Sequence, residues 1–196
     1  MIDSRFREKY QAVLINPLLR VNWIAKVKPS RVSFIALCFG LLSALFIAFG
    51  YSYLACALLI FSGYLDTLDG SIARAFEKVS PSGAALDIFF DRCVEFAIIL
   101  GLFYVNSQVR GALCLIMLGS ILLCITSFLV VGIFEQNESE KSFHYSVGIM
   151  ERTEAFIFFC AMILLPSLFV YLSITFSMLV LITALIRISQ FTKPNV

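Results

Sequence analysis

Stretches of about 20 apolar residues, divided by short polar breaks, recur along this chain, and that pattern predicts membrane-crossing helices. The breaks mark six spans, at residues 32–50, 51–72, 84–105, 111–134, 153–171 and 172–191. The segment ahead of them has a different texture. Phe6, Tyr10, Val13, Leu14, Leu18, Leu19 and Val21 interleave there with Arg5, Arg7, Lys9 and Arg20, as in an amphipathic helix lying on an anionic leaflet. Pro17 would kink or restart it. The expected fold class is all-α: a polytopic membrane protein of six transmembrane helices preceded by an amphipathic N-terminal surface helix. The expected division is an amphipathic juxtamembrane segment at 1–31 and a single six-helix membrane domain at 32–196.

Composition sharpens this reading. Hydrophobic residues make up 60% of the 196, against roughly 45–50% in soluble domains, and the mean hydropathy is +0.94. With 20 Phe and 1 Trp, the surface suits lipid better than a compact soluble interior does. Residues 1–31 are charged and mixed rather than a short basic region followed by an apolar core, so the first span itself is expected to direct insertion. With the N-terminus in the cytoplasm, every Lys and Arg except Arg110 falls at or near that side. The positive-inside rule therefore sets the expected orientation, with both termini cytoplasmic, as in a bacterial inner-membrane protein. A net charge of +2 suggests no nucleic-acid partner. Cys38, Cys56, Cys93, Cys114, Cys124 and Cys160 lie singly within spans and read as small apolar packers, while His144 reads as a solvated loop residue.

One polar cluster interrupts the apolar pattern. Asp66 and Asp69 stand 3 apart at the end of the second span, and Asp87 and Asp91 stand 4 apart at the start of the third. Each pair shares one helix face. The short connection, with Pro81 and Gly83, suits an antiparallel return that brings both faces together at the cytoplasmic surface. A carboxylate in hydrocarbon costs about 2.5–3.5 kcal/mol on insertion scales, so these acidic groups call for a compensating cation. Convergent oxygen donors suit a hard one, Mg2+ or Mn2+. Gly70, Ala73, Gly83 and Ala84 leave room for a bulky ligand, and Arg74 offers a planar donor to phosphate. Inter-helical ion pairs are the plain alternative, but only Arg74 and Arg92 lie within the stretch.

The stretch resembles the signature of the CDP-alcohol phosphotransferase family, D-x2-D-G-x2-A-R-x8-G-x3-D-x3-D, at Asp66, Asp69, Gly70, Ala73, Arg74, Gly83, Asp87 and Asp91 without a gap or substitution. Span number, length and orientation are also similar to the family. The resemblance implies a membrane enzyme of phospholipid biosynthesis that moves a phosphatidyl or related group from a CDP-alcohol, CDP-diacylglycerol above all, to an acceptor hydroxyl, releasing CMP. It implies two divalent metals, Mg2+ or Mn2+, held by Asp66, Asp69, Asp87 and Asp91, with Asp91 as the base that deprotonates the acceptor. Pro29-Ser30-Arg31-Val32-Ser33 resembles the family's P-N-x-[VIL]-T start of the first span, with Ser30 for Asn and Ser33 for Thr. The CDP-alcohol contacts implied are Pro29, Ser30, Arg31, Val32, Gly70, Ala73, Arg74, Ser80 and Gly83. A plain helix start at Pro29, with Ser30 as cap, is compatible with this. A homodimer is implied by the resemblance alone.

The acceptor stays open. Gly148-Ile-Met-Glu151-Arg152-Thr-Glu154 resembles the G-[LI]-x-E-R-x-E-R element of members that take inositol phosphate or related head groups, with Arg152 as the acceptor ligand. Arg187 resembles a second basic position in the same cavity. The alternative is an ion pair of Arg152 with Glu151 or Glu154, and snorkelling by Arg187. The last Arg of the element is Ala155, and 127–135 lacks the further basic residue of the fourth span. Neither inositol phosphate nor glycerol phosphate is supported. Two other classes use membrane carboxylates: an ion-coupled small transporter, and a non-catalytic partner with a dead site. The transporter would not require Gly70, Ala73, Arg74 and Gly83 at these spacings, and the four intact carboxylates argue against the dead site.

Overall fold

The computed structural model describes residues 15–19, 21, 24–138 and 149–192, and among these every regular element is helical. The long helices are α1 (Pro29–Ala48), α2 (Ser52–Ala75), α3 (Pro81–Val105), α4 (Ser107–Glu138), α5 (Arg152–Leu164) and α6 (Phe169–Thr192). Four segments are long and apolar enough to cross a membrane: Pro29–Ala48, Ser52–Ala75, Ser107–Phe134 and Pro166–Thr192. The chain is a multi-pass membrane protein. α3 has the length but carries Asp87, Asp91, Arg92 and Glu95. α5 has 13 residues, which is about 20 Å of helix against about 30 Å of hydrocarbon.

The fifth expected span therefore ends earlier than 171. Pro166 lacks an amide hydrogen and its ring clashes with the preceding turn, so α5 stops at Leu164, a 3-10 turn runs Pro166–Leu168, and α6 starts at Phe169. The start of α1 also differs in detail. Lys28, not Ser30, is the capping residue, with Pro29 in the first turn and the Ser33 hydroxyl donating to the Pro29 carbonyl at 3.2 Å. Pro needs no amide partner there, which makes a side-chain cap dispensable.

α1 and α2 are joined by a tight C-terminal turn. Tyr51 N–H donates to Phe46 O at 2.9 Å and Gly50 N–H to Ile47 O at 3.0 Å. This pairing requires a left-handed residue, and Gly50 supplies it at φ 82°. α1 packs extensively on both α2 and α3, α4 packs on α6 and α3, and α5 touches α2 and α6. Between α1 and its neighbours the approach is close. A Cβ on Gly101 of α3 would stand 2.6 Å from the Ala44 carbonyl oxygen of α1. Serine hydroxyls tie α1 to α2, Ser62 to Ala36 O and Ser43 to Ala55 O, each at 2.7 Å. Small residues and such hydroxyls let helices associate where lipid removes most of the hydrophobic drive between them.

The main core gathers Leu59, Ile98, Ile99, Leu102, Met117, Phe159, Met162 and Phe176. A second cluster holds Ile15, Ile24, Val32, Leu68 and Ile72, with Leu18 and Leu19 against it. So the part of the N-terminal segment within the described residues leans on the end of α2, and Lys78 Nζ donates to Val27 O at 3.0 Å. Residues 1–14, where most of the expected surface helix falls, and His144 lie outside the described residues.

Candidate active site

The acidic faces meet because the chain returns on itself. Asp69 lies 6 residues before the end of α2 at Ala75, and Asp87 lies 6 after the start of α3 at Pro81. An antiparallel return thus sets them at one depth. The turn-back is fixed by Ser80, whose hydroxyl accepts from Gly83 N–H at 3.1 Å and caps α3; this is the local role the structure gives both residues. One carboxylate oxygen from each of Asp66, Asp69 and Asp87 comes within 4.8 Å of the other two. Oxygens on opposite sides of a bound Mg2+ or Mn2+ stand roughly 4–5 Å apart. Asp69 is buried, and its Oδ2 has no hydrogen-bond partner among the described residues. A buried acceptor left alone costs free energy that a cation recovers. The donor set is all oxygen and fits Mg2+ or Mn2+.

Asp91 is placed differently. Arg152, at the first turn of α5, spans two helices: one Nη donates to Asp66 Oδ2, and the other stands 2.7 Å from Asp91 Oδ1. Its guanidinium also lies 5.5 Å from the Phe156 ring centroid. The sequence suggested acidic partners next to Arg152 in the chain; the structure pairs it with Asp66 and Asp91, 86 and 61 residues away. The start of α5 is anchored by Thr183 of α6, whose Oγ1 accepts from Met150 N–H at 3.0 Å.

These side chains open into a cavity of about 490 Å3 walled by α2, α3, α4, α5 and α6. Of the residues expected to serve the site, Asp66, Asp69, Gly70, Arg74, Asp87, Asp91, Arg152 and Arg187 line it. Pro29, Ser30, Arg31, Val32, Ala73, Ser80 and Gly83 are not among its walls; Ser30 and Arg31 are exposed and Val32 is buried in the second cluster. A Cβ on Gly70 would stand 3.3 Å from Arg74 Nη1, so the guanidinium would have to give by a few tenths of an ångström. Arg74 in turn reaches Ser71 Oγ at 3.5 Å.

The sequence reading passed over other lining residues. Glu95 lies one turn beyond Asp91, buried, with Oε2 2.6 Å from Arg92 Nη1. Its signal was available, since 87, 91 and 95 continue one helix face. Cys124 and Phe128 of α4 and Phe176 of α6 also line the cavity, and as apolar residues in apolar spans they carried no signal.

The CDP-alcohol phosphatidyltransferase family model matches residues 26–188. The chain belongs to that family. Among curated relatives it is 27% identical to the inner membrane protein YnjF of Escherichia coli, over 96% of this chain and 94% of that one. It is 29% identical to the bifunctional IPC transferase and DIPP synthase of Archaeoglobus fulgidus, over 64% of this chain but only 24% of that protein. Among solved structures, the phosphatidylinositol phosphate synthase of Mycobacterium tuberculosis in complex with manganese and citrate aligns with a TM-score of 0.74 at 20% identity, over 91% of this chain and 90% of that one. The same synthase with CDP-DAG bound aligns at 0.71 and 21% identity, over 91% and 94%. At that identity the likeness is one of fold. Members of the CDP-alcohol phosphatidyltransferase family are phosphotransferases, and the carboxylate cluster sits within the matched residues.

Proposed function

We propose that this protein transfers a phosphatidyl, or related phospho-alcohol, group from CDP-diacylglycerol or another CDP-alcohol to an acceptor hydroxyl, releasing CMP, in phospholipid synthesis. The observation that carries this reading is the meeting of Asp66, Asp69 and Asp87 oxygens within 4.8 Å, at the wall of a cavity that also holds Arg74 and Asp91. Mg2+ or Mn2+ held there, with Asp91 completing a two-metal set, would neutralise charge developing on the diphosphate oxygens. Asp66, Asp69 and Asp87 would hold the cation that offsets the negative charge of the donor's diphosphate end, and Arg74 binds a phosphate oxygen beside Gly70. Pro29, Ser30, Arg31, Val32, Ala73, Ser80 and Gly83 shape the nucleotide side; Ser33, a polar neighbour of Asp69, links the start of α1 to that end.

Asp91 takes the proton of the acceptor hydroxyl. The acceptor oxygen then bonds to the lipid-side phosphorus, the bond from that phosphorus to the bridging oxygen breaks, and CMP leaves with the bridging oxygen. Arg152 and Arg187 face the acceptor. In this reading α3 and α5 complete a six-span bundle, α5 by packing against α2 and α6 rather than by its own length. The chain divides at residue 31 into a surface segment and a membrane domain. The site and both termini face the cytoplasm, where basic residues concentrate, and the protein works as a homodimer.

The test is CMP release from labelled CDP-diacylglycerol by purified protein with Mn2+ or Mg2+ and a panel of hydroxyl acceptors. Metal-dependent release is expected, and Asp91→Asn lowers it at least 100-fold while CDP-diacylglycerol still binds. Absence of both release and CDP-diacylglycerol binding overturns the reading; an active Asp91→Asn variant overturns the assigned base.

A further inference from the structure

α2 and α5 meet in two successive rungs. In one, Asp66 pairs with Arg152. In the other, one turn away on both helices, Gly63 faces Phe156: a Cβ on Gly63 would stand 3.0 Å from Phe156 Cε1 and 3.2 Å from its Cδ1. The partner numbers fall along α5 as they rise along α2, so the two helices run antiparallel here, and Phe156 and Arg152 share one face of α5. The missing side chain at Gly63 leaves a notch that the edge of the ring occupies. The Arg152 guanidinium carbon lies 5.5 Å from the ring centroid, within the reach of a cation–π attraction. Phe156 packs on the main core and is not among the walls of the cavity. It is therefore placed to act on the carboxylates only through Arg152.

We propose that Phe156, seated against Gly63, is a positioning residue: its ring holds the Arg152 guanidinium on Asp66 and Asp91, and so sets how strongly that guanidinium competes with a divalent cation for Asp66. What this means for turnover rests on the transferase reading above; the contact itself does not. A long arginine side chain gives up several torsional freedoms when it is held between carboxylates of two helices, and the negative face of a neighbouring ring offsets part of that loss. With the ring face weakened, the guanidinium leaves Asp66 more readily. The bridge between α2 and α3 then holds less firmly without metal, and Mn2+ meets less competition for the cluster. A contact that merely fills space between α2 and α5 has neither dependence, because the charge on the ring face does not enter it.

The experiment uses full-length protein in detergent, melted in EDTA and titrated with Mn2+ alone. Phe156→trifluorophenylalanine nearly keeps the shape of the ring but withdraws negative charge from its face, so it tests the contact where Phe156→Leu does not fold. The fluorinated ring is expected to lower the melting temperature in EDTA by about 1–4 °C, as loss of an exposed cation–π contact does in a chain of this size. It is expected to tighten Mn2+ binding by about 2–5-fold. Gly63→Ala, which pushes on the ring from α2, tightens Mn2+ binding in the same direction. In an Arg152→Gln background neither change moves Mn2+ affinity further, and the fluorinated ring no longer lowers the melting temperature. A fluorinated ring that leaves melting and Mn2+ affinity as they were overturns the inference. So do equal shifts with and without Arg152, which make the contact plain packing, and a Gly63→Ala variant with unaltered Mn2+ affinity. If the unaltered protein binds no Mn2+ while the fluorinated ring still lowers melting only where Arg152 is present, the positioning role stands and the metal-dependent transferase reading falls.

Discussion

Replacing Arg152 by Gln removes a side chain that bridges Asp66 of α2 and Asp91 of α3. The side chains of the two carboxylates are 14% and 15% exposed and that of Arg152 is 29% exposed. Removing one partner of a buried ion pair costs about 3–5 kcal/mol, because the remaining charge is left uncompensated. The partial exposure of Arg152 puts the expected cost near the lower end, about 3 kcal/mol. At about 2–4 °C per kcal/mol for a chain of this size, the melting temperature in detergent should fall by about 6–12 °C without divalent metal. The lost positive charge sits beside a carboxylate cluster suited to Mn2+, so Mn2+ should recover most of that loss, and by more than it raises the unaltered protein. Calcium-free thermal melts with and without Mn2+, alongside a titration of Mn2+ binding, measure both effects. Unchanged melting in Arg152→Gln, or equal Mn2+ effects on the two proteins, refutes the view that guanidinium and metal compensate the same carboxylates.

Three further perturbations probe separate links. Asp69→Asn should weaken Mn2+ binding at least 10-fold in a calorimetric titration, because it removes the negative charge of the buried donor whose Oδ2 lacks a hydrogen-bond partner among the described residues; unaltered affinity would remove Asp69 from the metal set. Gly101→Ala should destabilise by about 1–3 kcal/mol, since its Cβ would stand 2.6 Å from the Ala44 carbonyl oxygen, and a melt that does not move would mean that α1 and α3 separate without cost. Thr183→Val strips the acceptor from the buried Met150 N–H, at about 1–3 kcal/mol. It should also raise the acceptor KM by loosening the start of α5, so an unchanged KM would show that Arg152 is held without that anchor.

Much of this protein follows from local rules. Apolar runs of membrane length announce helices, and the spacing of Asp66 with Asp69 and of Asp87 with Asp91 puts each pair on one helix face whatever surrounds it. Pro166 was equally visible, yet the fifth span was drawn through it, and the helix obeys the missing amide rather than the continuous hydropathy. Family membership, and with it the preference for a transferase over a carrier, also rests on residues at fixed spacing. Partner choice across the bundle is another matter. That Asp66, Asp69 and Asp87 share a cluster while Asp91 turns to Arg152 depends on α1 holding both α2 and α3 and on Thr183 anchoring the start of α5. That Arg187 meets Cys124 and Phe128 depends on α6 packing on α4. Periodicity states which residues share a face of one helix; only packing decides which faces meet, because the contacts that settle it join residues far apart in the chain.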